Sequence, residues 1–278
     1  MKSEKVEKHL KVKITKEEMN KMKHNHTHWE SNADKFGTSI EVSWGDKNMA
    51  KLEVTNILKY ISNKSLVLDA GCSNGASTVE IARSANIKMR AFDYSAKAIE
   101  IARKQQNRKK AQQKNITYYC GNILNIEEKD KTFDAAYTIR VIINLPSWHL
   151  QKQSILEVHR ILKRGGVYLM SEAFSGSLKK LNTLRALGGV APLASHDFNL
   201  YIKEEQLEKF IKPYFDIVAI KKFSSIYYVA SRFLRYLTLK PGEKDSYDNE
   251  INNLFSKYTE SENSGDFGIQ KLYVLKKK

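Results

Sequence analysis

Short apolar runs alternate with longer amphipathic stretches along most of this chain. The runs fall at 66–70 (LVLDA), 88–93 (KMRAFD), 115–120 (NITYYC), 133–138 (FDAAYT), 166–171 (GVYLMS), 216–220 (DIVAI) and 269–275 (IQKLYVL). Stretches at 77–85, 95–110, 149–162 and 203–211 separate most of them and read as helices. Buried strands, each followed by a helix, predict an α/β fold with a mainly parallel sheet covered on both faces. Ahead of this pattern, 48–61 predicts a helix with Leu52, Ile57 and Leu58 facing inward. Residues 1–23 are rich in Lys and Glu and predict a solvated helix or a loose arm. Residues 24–46 show no sustained period but hold Trp29, Phe36 and Trp44, and predict an irregular segment laid over another surface.

The chain thus divides into an N-terminal arm or cover, 1–46, and one α/β domain, 47–278. Two interruptions fall in the second half of the domain. The first, about 172–202, is broken by Gly188, Gly189 and Pro192. The second, about 223–267, runs from an apolar patch (SSIYYVASRFLRYL) into a polar stretch (KPGEKDSYDNE). Both are placed to act as lids or substrate covers.

Composition narrows the partners. The 278 residues are 41% hydrophobic and 28% charged, enough for a buried core. Lys and Arg outnumber Asp and Glu 47 to 31, a net charge of +16, and 37 of the 47 are Lys. Such an excess favours anionic partners, but Lys spread along a chain is poor support for specific nucleic-acid reading, where Arg forks dominate. Two cysteines, Cys72 and Cys120, exclude a disulfide scaffold and suit reduced thiols in the cytoplasm. No run approaches 18 apolar residues and the start lacks an apolar signal core, so neither a membrane span nor a leader is expected. Subunit number is not legible.

The sharpest feature is Leu66 to Gly75, LVLDAGCSNG: a buried strand entering a glycine-bearing turn that opens a helix. Gly71 allows close backbone approach, and the turn offers amide donors beyond the strand's carboxyl end. An ordinary strand-to-helix turn would use Gly75 in the same way. Asp93, however, ends the next strand 22 residues after Gly71, where a carboxylate can accept both ribose hydroxyls of a nucleoside. A helix cap is the plainer role for it, and Ser95 serves that equally well. A dinucleotide fingerprint needs G-x-G-x-x-G, and here the spacing is G-x-x-x-G. Asp69, two residues before Gly71, is expected at the rim, where it suits a sulfonium or ammonium and not a pyrophosphate. No Gly-Lys-Ser/Thr is present for a P-loop.

The segments VLDAGCSNG (67–75), AFDYSAKAIEIARK (91–104), GNILNI (121–126), FDAAYTIRVIINLPS (133–147) and LKRGGVYLMSEAF (162–174) resemble the class I S-adenosylmethionine-dependent methyltransferase family, small-molecule type. The resemblance covers roughly residues 60–220 and resumes near 269. It implies a doubly wound, seven-stranded, mostly parallel sheet whose last strand is antiparallel, and S-adenosylmethionine as cofactor. By the same likeness, Gly71, Cys72, Ser73 and Gly75 border the methionine end and Asp93 holds the ribose. Tyr94 packs beside the adenine, Asn122 and Ile123 meet its edge, and Thr138 and Asp69 complete the site. Ser73 replaces the family's usual central glycine, and Asn122 its usual aspartate.

Methyl transfer from a sulfonium is an in-line displacement that needs alignment, exclusion of water and, for a hydroxyl acceptor, one proton removed. Glu172, directly after the fifth strand and expected to face the crevice, and His196 in the first interruption are the candidate bases. A surface histidine paired with Asp197 is the alternative for His196. Arg140, just past the fourth strand, either orients an anionic substrate or pairs with a carboxylate. His24, His26 and His28 could share one face of an extended backbone, but no further ligand completes a zinc set. Clustered acids are absent after the fourth strand, so no metal is expected.

An RNA methyltransferase is the main rival. Residues 103–114 (RKQQNRKKAQQK) form a basic stripe, and Asn144-Leu145-Pro146-Ser147 is similar to the N-L-P-aromatic loop of adenine-N6 RNA methyltransferases. Ser147 stands where the aromatic would be, and the four residues also read as a helix start, with Asn144 or Ser147 capping and Pro146 as an early helix residue. Nucleic acid is therefore not the expected partner. The expected activity is transfer of a methyl group to a small-molecule or saccharide-type acceptor, at oxygen by preference, with an anionic acceptor and peripheral membrane contact both compatible. An inactive methyltransferase-fold scaffold is the other alternative.

Overall fold

In the computed structural model, residues 13–108, 115–240, 242–243, 245–258 and 265–278 are described. The chain opens on α1 (Lys16–Phe36), started by a capping box in which the Thr15 hydroxyl accepts from the Glu18 amide and the Glu18 carboxylate accepts from the Thr15 amide. Residues 24–36 are thus helical, not irregular; nothing interrupts the helix until Gly37 turns the chain at φ +53°. A short 3₁₀ turn (Ile40–Val42) leads to α2 (Lys47–Leu58), capped by Asp46. Leu52 and Ile57 are buried, and Leu58 is half-buried.

The alternating region follows: β1 (Leu66–Ala70), α3 (Ala76–Ser84), β2 (Lys88–Asp93), α4 (Ala96–Arg108), β3 (Ile116–Cys120), β4 (Phe133–Ile139), α5 (Trp148–Ile161) and β5 (Leu162–Ala173). Next come α6 (Ser175–Leu187), α7 (Glu204–Ile211) and β6 (Phe215–Lys221). The second interruption is largely helical, α8 (Ser225–Val229) running through a π-helical segment (Ala230–Leu234) into α9 (Arg235–Thr238). After α10 (Glu250–Phe255), β7 (Gln270–Lys277) closes the chain.

Among the described residues the sheet has the order β3-β2-β1-β4-β5-β7-β6. β1 to β5 are parallel, and β7 enters antiparallel between β5 and β6. The order reverses at β1, so the crevice beyond the carboxyl ends of β1, β2 and β4 is the topological switch point where such sheets bind ligands. Val67, Leu68, Ala91, Phe92, Ala136, Tyr137 and Leu169 fill the core under it.

Helix α1 spans that carboxyl end. At its start Ser147 donates to Glu18, and at its middle Asn25 donates to the carbonyls of Asn144 (2.7 Å) and Phe198 (3.3 Å). Further along, Glu30 accepts from the Lys97 amide, Asp34 pairs with Lys97 at 3.0 Å, and Ala33 packs with Ala98. The helix therefore runs from the segment after β4 to the start of α4.

Candidate active site

The turn after β1 folds back on the tip of β2. The amides of Gly71 and Cys72 both donate to the Phe92 carbonyl, at 2.8 and 2.9 Å, and that of Gly75 to Cys72. The Ser73 amide donates to Asp93 Oδ2 at 2.8 Å, while Asp93 Oδ1 accepts from Ser95 at 2.9 Å. The amides of Gly71, Cys72, Ser73 and Gly75, expected to face a ligand, are thus engaged in shaping the loop. Glycine is required twice. A Cβ on Gly71 (φ +95°) would meet Val141 at 2.3 Å, and one on Gly75 (φ +80°) would meet the Tyr118 hydroxyl at 2.7 Å. Asn74 fastens the loop to the arm, donating to the carbonyls of Gly37 and Ser39.

Asp93 sits at the β2 terminus, nearly buried, its pKa raised by burial against the two amides. Each of its oxygens accepts one backbone N–H, and a carboxylate offers about four acceptor positions, so each keeps a lone pair for a vicinal diol. Tyr94 beside it exposes 41% of its surface and meets His26 of α1 at 5.1 Å between ring centroids. These residues fit the ribose and adenine of S-adenosylmethionine.

Other expected contacts lie elsewhere. Asp69 is not at the rim: it is buried, accepting from the Thr78 hydroxyl and the Tyr137 hydroxyl, both at 2.7 Å. Strand alternation sends its side chain under the loop. Thr138 is fully buried against the Tyr168 hydroxyl, and Ile123 lies in the core. The Asn122 side-chain oxygen accepts from the Leu124 amide and shapes its own turn. Cys72 is buried, and burial pushes its thiol well above the usual range.

Glu172 does not open into the crevice, and His196 lies on the surface. Glu172 is fully buried and accepts from the amides of Val141 (3.1 Å), Ile142 (3.1 Å) and Ile143 (3.3 Å), anchoring the 3₁₀ turn Ile142–Asn144 after β4. His196 is exposed and stacks on Phe198 at 5.0 Å; Phe198 in turn stacks on His28 and meets Trp29. His24, not His196, faces Asp197, at 3.8 Å. Arg140 takes the carboxylate alternative: Nε lies 3.4 Å from Glu53 Oε2, and the guanidinium rests 4.2 Å over the Trp44 ring. Its φ of +56° is uncommon for a side chain of this size and marks strain at the β4 exit. Because α1 is a helix, His26 points away from His24 and His28, and among the described residues no cluster could hold a metal.

The N-L-P-S segment shapes the chain ahead of α5, with the Asn144 Oδ1 buried and, among the described residues, without a hydrogen-bond partner. Ser147 caps α5, Pro146 precedes the cap and so lies outside the helix, and Asn144 donates to the Arg140 carbonyl at 2.7 Å. Of the basic stripe, residues 109–114 lie outside the described residues, and Arg103 donates to the Tyr118 carbonyl. Sequence reading missed Glu53, Asn25, the contact of His26 with Tyr94 and the Asp46–Arg232 pair, which become visible only when the elements pack.

Burial raises the carboxyls of Glu53, Asp69 and Glu172 to about 7. Each is protonated in the fold at a pH where its unfolded counterpart is ionised. The native state then binds more protons than the unfolded state, so stability falls as pH rises from about 4.5 to 7 and levels beyond. Melting temperatures across that range should decline for the wild type and decline less for Glu53→Gln, an amide being a mimic of the neutral acid. Equal slopes would refute the assignment for Glu53.

Residues 67–166 match the family described as a methyltransferase domain. With this sheet order and loop, residues 67–166 form a methyltransferase domain, and the comparisons support a class I S-adenosylmethionine-dependent methyltransferase. Among curated relatives it is similar to a sterol 24-C-methyltransferase of Eremothecium gossypii, 31% identical over 112 residues, which are 40% of this chain and 29% of that one. An O-methyltransferase of Aspergillus nomiae is 27% identical over 109 residues, 39% of this chain and 46% of that one. The chain thus matches less than half the length of these two relatives. Among solved structures, the [4+2]-cyclase SpnF shares the fold, with a TM-score of 0.55, 19% identity and coverage of 82% of this chain and 81% of that one.

Proposed function

We propose that this chain transfers a methyl group from S-adenosylmethionine to a small-molecule acceptor. The observation that carries the reading is Asp93, which ties the glycine loop to the β2 terminus through Ser73 and keeps one acceptor position on each oxygen for a ribose. When bound, the cofactor supplies an electrophilic methyl whose leaving group, a neutral thioether, requires no acid. Asp93 orients the sugar, Tyr94 lies along the base, and α1 with the two interruptions excludes water from the crevice. The relatives' names, a sterol C-methyltransferase and an O-methyltransferase, support the acceptor class.

Oxygen remains the proposed acceptor atom. With Glu172 tied to three amides and His196 on the outer surface, the hydroxyl that fits is an acidic one, near ionisation before it reacts, and not one that needs a strong side-chain base. A cytoplasmic setting suits Cys72 and Cys120, neither of them in a disulfide. No helix among the described residues is long and apolar enough to cross a membrane.

Isothermal titration with S-adenosylmethionine, followed by a methyl-transfer screen against phenols, enols, saccharides, amines and RNA, tests the reading. Saturable binding and transfer to a small molecule are expected. A fold neighbour named as a cyclase warns that this architecture hosts other chemistry. Binding without transfer to any of these acceptors would favour that kind of alternative, and no binding would favour a scaffold.

A further inference from the structure

Buried charge beneath the second interruption does not balance. Arg232 faces Asp46 through Nη2 and Oδ2 at 2.9 Å. Arg185, in the last turn of α6, is only 2% exposed, yet among the described residues it faces no carboxylate. Its Nε donates to the Ala191 carbonyl at 2.7 Å, its guanidinium lies 4.5 Å over the Tyr236 ring, and its Nη1 is buried without a partner. Arg232 also leaves a buried Nη1 unpartnered, between the rings of Tyr228 (5.2 Å) and Tyr247 (4.6 Å). The nearby acids Glu243 and Asp245 are taken by Arg235.

The two unpartnered groups are linked through one ring: Tyr236, which carries the Arg185 guanidinium at 4.5 Å, lies one helical turn beyond Arg232. Burial and the charge of Arg232 both lower the pKa of Arg185. Arg232 occupies the centre of the π-helical segment, a departure from regular helix geometry that recurs at functional sites. Burying a cation without a counter-charge costs several kcal/mol, and an anion bound beside it would offset that cost. Two guanidinium donors from different elements, walled by tyrosine rings, suit a small oxyanion attached to an apolar body.

We propose that Arg185 and Arg232 bind an oxyanion, a phosphate or a carboxylate, carried by the methyl acceptor. The assignment to the acceptor rests on the function proposed above. Arg185 lies ten residues from the start of α6, about 15 Å at the helical rise, so an acceptor that reaches from the end of β5 to this site is elongated. The oxyanion fixes one end of such a molecule while the crevice aligns the other.

Thermal unfolding of the full chain, titrated with sodium phosphate or with sodium benzoate at ionic strength held constant by chloride, reads this site directly. At least one of the two should raise the midpoint saturably. Phosphate alone points to a phosphorylated acceptor and benzoate alone to a carboxylate. Arg185→Gln should weaken the response at least about tenfold, as expected for one charged hydrogen bond. Arg232→Lys, which keeps a cation beside Asp46, should weaken it as well and guards against a variant that merely fails to fold. No midpoint shift with either anion, or a shift unchanged in Arg185→Gln, overturns the proposal. S-adenosylmethionine titration of the same preparations separates the two readings. A protein that takes the anion but not the nucleoside refutes the donor assignment alone, and the converse refutes this site alone.

Discussion

Replacing Asp93 with alanine lowers the affinity for S-adenosylmethionine by about a hundredfold or more, because two charge-assisted hydrogen bonds to the ribose go at once. The same change releases the Ser73 amide, so the loop loses its link to β2. Asp93→Asn separates the two contributions. The amide oxygen can retain one backbone donor, but the NH₂ group can no longer accept from a hydroxyl, so affinity falls while the fold is kept. Calorimetric titration of both variants, with circular dichroism as a control for folding, checks this. Wild-type affinity in a folded Asp93→Ala would remove the basis of the nucleoside site.

Asp46→Ala is expected to destabilise the chain by about 3–5 kcal/mol, the cost of leaving a buried guanidinium without its partner. Asp46 is fully buried and serves three elements. Oδ1 caps α2 through the Met49 amide and accepts from the Tyr227 hydroxyl at 2.6 Å, while Oδ2 holds Arg232. Loss of the cap adds about 1 kcal/mol. Urea denaturation measures the total. The double variant Asp46→Ala with Arg232→Met should recover most of the loss, since no charge is then left unpaired. A single variant within about 1 kcal/mol of wild type would mean that water already solvates the pair.

The seven strands were legible because each is a short apolar run bounded by turn residues, and the central ones, buried on both faces, have few other ways to read. Ser147 as the α5 cap was legible for a similar local reason. Helix α1 was not, because its exposed polar face dilutes the period and much of its support comes from Asn144, Phe198 and Lys97, which are distant in sequence. At the site, the placement of Asp93 followed from spacing alone. The directions of Asp69 and Glu172 did not: a strand terminus tells where a residue is, while alternation decides which side it faces, and a one-residue change of phase reverses it. Asp46 and Arg232 are 186 positions apart, and no local pattern announces such a pair.

The glycine loop proposed to border the methyl donor carries a thiol, Cys72, whose side chain is buried. A thiolate is a far stronger nucleophile than a thiol, and one lying against a sulfonium would be alkylated by it. Burial and the negative charges of Asp69 and Asp93 keep Cys72 protonated. The environment that shapes the loop therefore also protects it from self-modification by the reagent it would hold.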